Sequence, residues 1–314
     1  MRIRARRGLF RRVTVWAPAA WLGLFVLVPA LMVVAVSLMA RDETGFVAPA
    51  FSLEGYRTIL SPLFLGVLWR SLVLAGGATL LCLMVGYPFA WCLARRTGRF
   101  RGLLLLMVII PFWTNSLIRT YAMVFILKAN GLFSQALMAL GLSDGPVSLM
   151  YTDVAVFAGL VYTLLPFMIL PLYASIEKLD VRLLEAAQDL GAGRVRTFLS
   201  VTWPLTMPGV VAGCLMVFLP ALGMFYIPDL MGGGKHLIVG NFIKNQFLTA
   251  RNWPAGSAAS VVLTGMMLLL LLFYRRAAAL RRGGSGGPAD RADAGGMGHM
   301  GKLAEVGDAT EVAP

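Results

Sequence analysis

Six apolar segments, each long enough to cross a lipid bilayer, constrain this chain more than any other feature of its sequence. They cover residues 16–39, 68–94, 103–127, 153–173, 205–227 and 256–274. A helix needs about 20 apolar residues to cross the ~30 Å hydrocarbon layer, where its backbone polar groups must pair within the helix. A mean hydropathy of +0.77, with 14% charged residues, excludes a soluble domain. The sequence therefore predicts an all-α integral membrane protein with six transmembrane helices.

Basic residues indicate which ends of these helices face the cytoplasm. A run of arginines precedes the first apolar segment within residues 1–15, and Arg95-Arg-Thr-Gly-Arg-Phe-Arg101 follows the second segment. Because Lys and Arg concentrate on the cytoplasmic side, both chain termini are expected to be cytoplasmic. The N-terminal arginines are interpreted as a membrane anchor, so no nucleic-acid partner is expected. The first segment has no small-residue cleavage site and is expected to stay in the mature protein.

The predicted organisation follows from these segments. Residues 1–15 form a basic cytoplasmic N-terminus, and residues 16–65 hold the first transmembrane helix and an external loop with a short helix near residues 53–60. Residues 66–274 hold the other five transmembrane helices. Residues 275–314 are rich in glycine, alanine and charged side chains, and are expected to be a disordered cytoplasmic tail.

Glycine and proline positions predict where helices approach each other or break. The spacing of Gly209 and Gly213 in the fifth segment allows two helix backbones to come close. Pro111 is expected to loosen the hydrogen-bond ladder of the third segment in mid-membrane. Residues 128–152 should form an external loop with a short helix over residues 132–140.

Residues 174–204 form the only long mixed-charge segment between the apolar ones, so they are where a soluble partner would bind. The sequence RLLEAAQDL at residues 182–190 predicts a short amphipathic helix with one face that consists of Leu183, Ala187 and Leu190. Gly191 follows where a helix end favours a left-handed backbone. Pro204 is expected to end the segment because proline cannot continue the hydrogen-bond ladder.

The same segment carries a family resemblance. Its motif matches in type and spacing at Glu185, Ala186, Ala187, Gly191, Val201 and Pro204, with Trp203 in place of the usual leucine. This pattern resembles the cytoplasmic loop of the membrane permease subunits of bacterial ABC importers. The resemblance implies the ABC importer type I permease fold over residues 66–274, with residues 174–204 as the coupling loop. Glu185 would then contact a separate ATPase subunit, Ala186 and Ala187 would pack closely against it, and Gly191 would make the turn.

The glycine run that ends at Lys235 is not a phosphate-binding loop. A Walker A motif needs glycine where Asp229 stands and Ser or Thr where His236 stands. The chain is therefore expected to have no catalytic residue and no cofactor of its own, with ATP bound by the partner subunit. The three cysteines lie in apolar segments and the two histidines are far apart, so neither a disulfide framework nor a metal site is expected.

Carboxylates and aromatic rings at the outer ends of the apolar segments are candidates for a route through the membrane. An organic polycation needs carboxylates for its ammonium groups and aromatic faces for cation–π contacts, worth ~0.5–2 kcal/mol each. The candidate pathway residues are Trp113, Arg119, Tyr121, Asp153, Tyr226 and Asp229. Aromatic residues at helix ends are also ordinary interface anchors, and Arg119 either faces the bundle interior or extends to the interface.

Four further stretches, at residues 111–121, 164–173, 219–235 and 240–247, resemble the permeases of bacterial spermidine/putrescine importers. The resemblance implies an inner-membrane protein that lies in the lipid bilayer with a second, homologous permease subunit. It also implies two copies of an ABC ATPase subunit and a periplasmic polyamine-binding protein. Two alternatives stay open: a permease for another solute, such as an amino acid, opine or iron chelate, and a six-span membrane protein without a transport role.

Overall fold

The computed structural model describes residues 14–42, 47–96, 98–234 and 237–283. Within this part of the chain, six helical stretches are long and apolar enough to cross a membrane, which confirms the predicted number. The third of them is Ser116–Ala139 and not the predicted 103–127, so it includes residues 128–139, which were expected to lie in an external loop. The elements are α1 (Thr14–Ser37), β1 (Met39–Ala40), β2 (Ala48–Phe51), α2 (Glu54–Ile59), α3 (Pro62–Arg95), α4 (Arg99–Trp113), α5 (Ser116–Leu127), α6 (Leu132–Ala139), α7 (Asp153–Glu177), α8 (Val181–Asp189), α9 (Arg194–Gly223), α10 (Tyr226–Met231), α11 (Val239–Leu248) and α12 (Trp253–Gly283).

Three long helices, α3, α7 and α9, pack against one another and form the centre of the bundle. Small side chains on α3, such as Ala75 and Ala78, are fully buried, and so are Leu160 and Leu164 on α7 and Val217 on α9. Small residues let helix backbones approach closely, which is the main source of helix association inside a membrane. The packing centre of the subunit therefore lies between these three helices.

Gly209 and Gly213 lie where α9 crosses α7. A Cβ atom on Gly209 would stand 2.8 Å from the backbone oxygen of Pro171, and one on Gly213 would stand 2.7 Å from the Sδ of Met168. Both distances are too short for a real Cβ atom, so a side chain at either position requires its neighbours to shift. The predicted close approach of two helix backbones at these residues is confirmed.

The external segment between α1 and α3 contains a short β-hairpin as well as the expected helix. β1 pairs antiparallel with β2, with Met39 opposite Phe51. The helices predicted near residues 53–60 and 132–140 are present as α2 and α6. The membrane part is helical as expected, and the hairpin was not expected because two residues of β1 are too few to show an alternating pattern.

The third apolar segment differs from the prediction of one helix over residues 103–127. α4 ends at Trp113 and α5 begins at Ser116, so the chain breaks between them. The Oγ1 of Thr114 donates a hydrogen bond to the Pro111 backbone oxygen at 2.8 Å, and the Oδ1 of Asn115 accepts one from the Leu117 N–H at 2.8 Å. These two side chains satisfy the helix ends, and Pro111 weakens the ladder just before the break.

The last helix is longer than predicted. α12 continues to Gly283, whereas residues 275–314 were expected to be disordered throughout. The residues after Tyr274 are mostly alanine, leucine and arginine, which favour helix, so the helix does not stop where the apolar segment ends. Residues 284–314 and residues 1–13 of the basic N-terminus lie outside the described residues. The chain divides into two compact units, Met1–Gly265 and Met266–Pro314.

The crossing of α7 and α9 yields a first prediction. Gly209→Ala should force the two helices apart and lower the stability of the subunit by about 1–3 kcal/mol, the usual cost of overpacking a tight core. The midpoint of thermal unfolding in detergent, followed by tryptophan fluorescence, measures this loss. Gly76→Ala on α3 is the matched control, because a Cβ there meets nothing within 4 Å. Equal midpoints for the two variants would contradict the close-approach interpretation.

Candidate coupling helix and translocation pathway

The predicted amphipathic helix of the mixed-charge segment is present as α8, and both of its ends are capped. The Oδ1 of Asp180 accepts a hydrogen bond from the Arg182 N–H at 3.0 Å at the N-terminal end. At the C-terminal end Gly191 has φ +79°. Its N–H donates to the Gln188 oxygen at 2.8 Å, and the next N–H, of Ala192, donates to the Ala187 oxygen at 3.0 Å. Gly191 therefore makes the left-handed turn that its position predicts.

The apolar face of α8 points away from its own subunit. Leu183 and Leu190 are exposed, the latter at 89%, while Leu184 is the buried residue of the helix, with 8% exposed. Sequence reasoning grouped Leu183, Ala187 and Leu190 on one face but did not single out Leu184, because two adjacent leucines give no signal as to which one packs inward. The exposed leucines form an apolar surface on a loop that the charge pattern predicts to be cytoplasmic. An exposed apolar surface of this kind is typical of an interaction site.

Glu185 lines a cleft of ≈ 530 Å³ between α8, the end of α3 and the start of α9. Arg95 and Arg194 line the same cleft, so the carboxylate lies in a positively charged environment made by its own chain. The guanidinium of Arg95 lies 4.5 Å from the centroid of the Trp91 ring. Ala186 is exposed beside Glu185, and Ala187 is half-buried. The two alanines and the carboxylate thus share one small, accessible region.

Pro204 does not end the segment, contrary to the prediction. A continuous helix runs from Arg194 to Gly223, and Pro204 is the second residue after a π-helical turn, Phe198–Thr202. The Trp203 N–H donates to the Phe198 oxygen, which closes that turn. The hydrogen bond that proline cannot donate is therefore missing where the ladder changes from π to α, and a helix tolerates proline best at such an irregularity.

An aromatic cluster ties this π-helical turn to α3. The ring of Tyr87 lies 5.8 Å from that of Phe198 and 5.7 Å from that of Trp203. Its hydroxyl also forms a 3.0 Å hydrogen bond with the Oγ1 of Thr206. Trp203, which departs from the usual leucine, fills this cluster with a large ring. Aromatic pairs at such separations are worth ~0.5–1.5 kcal/mol beyond their buried area.

A charged contact joins the end of α7 to the first turn of α4. Arg101 forms an ion pair with Glu177 at the end of α7, and its guanidinium lies 5.3 Å from the centroid of the Tyr173 ring. Sequence reasoning assigned Arg101 only to the cytoplasmic charge excess. The contact spans 76 residues of sequence, and no short-range pattern predicts such a pairing.

The predicted pathway residues fall into separate groups. Arg119 lies inside the bundle: its Nε and Nη1 are buried without a hydrogen-bond partner, and its guanidinium lies 6.0 Å from the ring centroids of both Phe112 and Tyr162. The interior alternative for Arg119 is therefore the one that the structure favours. Trp113 is 82% exposed and Tyr121 is also exposed, so neither joins this group.

Asp153 and Asp229 lie in different surroundings. Asp153 begins α7 and lines a cavity of ≈ 530 Å³ together with Trp69 and Arg70 of α3. Asp229 lies on α10, three residues after Tyr226, whose ring packs edge-on against that of Phe225 at 6.2 Å. Sequence reasoning did not bring these groups together, and the role of each in a pathway stays a prediction.

The Asp229 carboxylate has two partners on α11. Its Oδ2 lies 2.5 Å from the Nζ of Lys244, and its Oδ1 accepts a hydrogen bond from the Nδ2 of Asn241 at 3.2 Å. The Nζ of Lys244 also lies 5.9 Å from the centroid of the Phe225 ring. Sequence reasoning missed Lys244 and Asn241, although their spacing of three residues places them on one face of a helix.

Comparison with known proteins identifies the family. Residues 83–281 match the family described as "Binding-protein-dependent transport system inner membrane component". The chain belongs to this family. It is 52% identical over 255 residues to the spermidine/putrescine transport system permease protein PotB of Haemophilus influenzae, a match that covers 81% of this chain and 89% of that one. It is 54% identical over 244 residues to PotB of Escherichia coli strain K12, covering 78% of this chain and 89% of the relative.

A solved structure supports the fold of this permease. The bacterial alginate ABC transporter, in complex with an alginate pentasaccharide-bound periplasmic protein, contains a chain that aligns with a TM-score of 0.69 at 16% identity. The alignment covers 85% of this permease and 93% of that chain. The permease is thus a multi-pass inner-membrane transport component with the fold of ABC transporter permeases, as its sequence predicts.

The turn after α8 yields a second prediction. Gly191→Val places a β-branched side chain at a positive φ, which costs roughly 1–2 kcal/mol and distorts the end of α8. ATP-driven uptake should fall at least several-fold while the amount of permease in the membrane, measured by immunoblot, is retained. Gly193→Val is the matched control, because that residue has an ordinary φ of −64° and its Cβ meets nothing within 4 Å. Normal uptake by Gly191→Val would contradict the assignment.

Proposed function

We propose that this permease moves polyamines of the spermidine/putrescine class across the inner membrane with energy from a separate ATPase subunit. The observation that carries the proposal is the identity of 52–54% with permeases named for spermidine and putrescine transport, over about four-fifths of the chain. The match covers 89% of each of those relatives, so the similarity is not limited to the segment around Glu185.

The chemistry around Asp229 supports the same substrate class. A carboxylate and an aromatic face already hold one primary ammonium group there, that of Lys244. Polyamines present primary ammonium groups, which bind carboxylates by charge-assisted hydrogen bonds and aromatic faces by cation–π attraction. We propose that Asp229 and Tyr226 line the pathway, and that Trp113, Arg119, Tyr121 and Asp153 contribute to it at other depths.

In the proposed mechanism, α8 transmits movement of the ATPase to the membrane helices. Glu185, Ala186 and Ala187 would meet the ATPase surface, with the exposed leucines of α8 beside them. Gly191 turns the chain from α8 into the helix that carries Pro204, so a shift of α8 acts on α9 directly. ATP is bound by the partner subunit, and the permease needs no cofactor of its own.

The proposed assembly contains this permease, a second homologous permease, two copies of the ATPase and a periplasmic polyamine-binding protein. The apolar side chains of α1, among them Trp21, Leu24 and Leu31, are exposed. This helix therefore needs lipid or another subunit around it. Both termini would be cytoplasmic, since most of the chain's 28 Lys and Arg residues lie in the two ends and in the loops on that side.

Uptake of radiolabelled spermidine and putrescine tests this function. Cells that lack this subunit, and any redundant polyamine importer, should lose energy-dependent uptake, and a plasmid copy of the gene should restore it. Unlabelled spermidine and putrescine should compete, whereas an amino acid or an iron chelate should not. Unchanged uptake in the deleted cells would refute the polyamine substrate and leave only the family assignment.

A further inference from the structure

The ion pair between Asp229 and Lys244 makes a small contribution to the stability of the fold. Lys244 and Asp229 have side-chain exposures of 25% and 39%. Double-mutant measurements of exposed ion pairs of this kind give little stability, because water screens the charges and two long side chains lose freedom. The ion pair therefore adds little to the free energy of folding of this region, which other contacts hold in place.

The elements that carry the pair are held by other contacts. Ile227 and Met231 of α10 and Val239 of α11 are fully buried. The Val239 N–H donates to the Oγ of Ser71 on α3 at 2.8 Å, and the ring of Phe242 packs edge-on against that of Phe64 at 5.1 Å. These contacts fix α10 and α11 against the bundle without any help from Lys244.

Asn241 provides a second, independent sign of a ligand at this place. The residue is 4% exposed, and its side-chain Oδ1 is buried without a hydrogen-bond partner. A buried acceptor without a donor is costly, so a native structure normally supplies one. The Asn241 amide therefore donates to Asp229 through its Nδ2 and has an unused acceptor, its Oδ1. An ammonium group has three N–H donors and no acceptor, which matches a carboxylate oxygen plus an amide oxygen.

We propose that Asp229, Asn241 and Phe225 form a binding site for a primary alkylammonium group, and that Lys244 is its internal occupant. The inference rests on the proposed polyamine substrate. A terminal ammonium group of the polyamine displaces the Nζ of Lys244 from Asp229 and takes its place on the carboxylate and the Phe225 ring. Lys244 returns to the carboxylate when the polyamine leaves.

The exchange replaces one ammonium group on the Asp229 carboxylate by another, so the carboxylate stays paired throughout. Asp229 is never left without a cation, and the desolvation cost of an unpaired carboxylate is avoided at each step. Because the polyamine must compete with Lys244, its apparent affinity is reduced by the fraction of sites that the lysine occupies. Lys244 therefore sets how readily the site releases its substrate.

Direct binding to the purified transporter tests the role of Lys244. The complete complex, without the binding protein, is titrated with radiolabelled spermidine and the dissociation constant is measured. Lys244→Gln should bind spermidine about 2- to 5-fold more tightly than the unaltered permease, the factor that an exposed ion pair typically supplies. Asp229→Asn should bind at least about 10-fold more weakly. Lys128→Gln, which removes another lysine that lies over an aromatic ring, is the control and should bind as the unaltered permease does.

A charge-exchange variant distinguishes a binding site for the substrate from an ion pair that only stabilises the fold. Asp229→Lys combined with Lys244→Asp preserves the ion pair but reverses which element carries the carboxylate. If the pair only stabilises the fold, the double variant binds and transports normally and Lys244→Gln weakens both activities; that result overturns the proposal, as does unchanged binding by Lys244→Gln. If the proposal holds, the double variant stays impaired. Wild-type cells that take up no polyamine would instead refute the proposed function itself.

Discussion

Where α7 and α9 cross, the two helices lie close together, because Gly209 and Gly213 carry no side chain at the contact. Helices in a membrane gain little from the hydrophobic effect against one another, so contact area of this kind has to hold them. The loop that carries α8, the proposed coupling helix, joins these same two helices. In the proposed mechanism, a force applied to α8 is thus delivered to a close contact between α7 and α9.

The aromatic and charged contacts around the loop extend this rigid unit to α3 and α4. Tyr87 meets Phe198 and Trp203 on one side, and Arg101 meets Glu177 on the other. Neither contact is large by itself. Together they connect the ends of α3, α4, α7 and α9 at this loop to one another.

Periodic and compositional features of the sequence predicted most of the fold. Long apolar segments need no partner to be recognised, so six spans, α2, α6 and the turn at Gly191 were all predictable. Other features were not predicted. The break at Thr114 and Asn115 depends on side-chain caps inside an apolar run, which composition does not reveal. The pairing of Asp229 with Lys244 depends on the packing of α10 beside α11. Pro204 was misjudged because a π-helical turn has no sequence signature of its own.

The π-helical turn also changes the rotation of the helix that precedes it. An α-helix advances about 100° per residue, and a π turn holds one residue more than an α turn, so the segment before it is rotated by about that angle relative to an unbroken α-helix. Arg194 lines the cleft of Glu185 before this turn, and Trp203 meets Tyr87 after it. The number of residues between Gly191 and Pro204 therefore determines which side of the helix the residues from Arg194 to Thr197 present relative to the rest of α9.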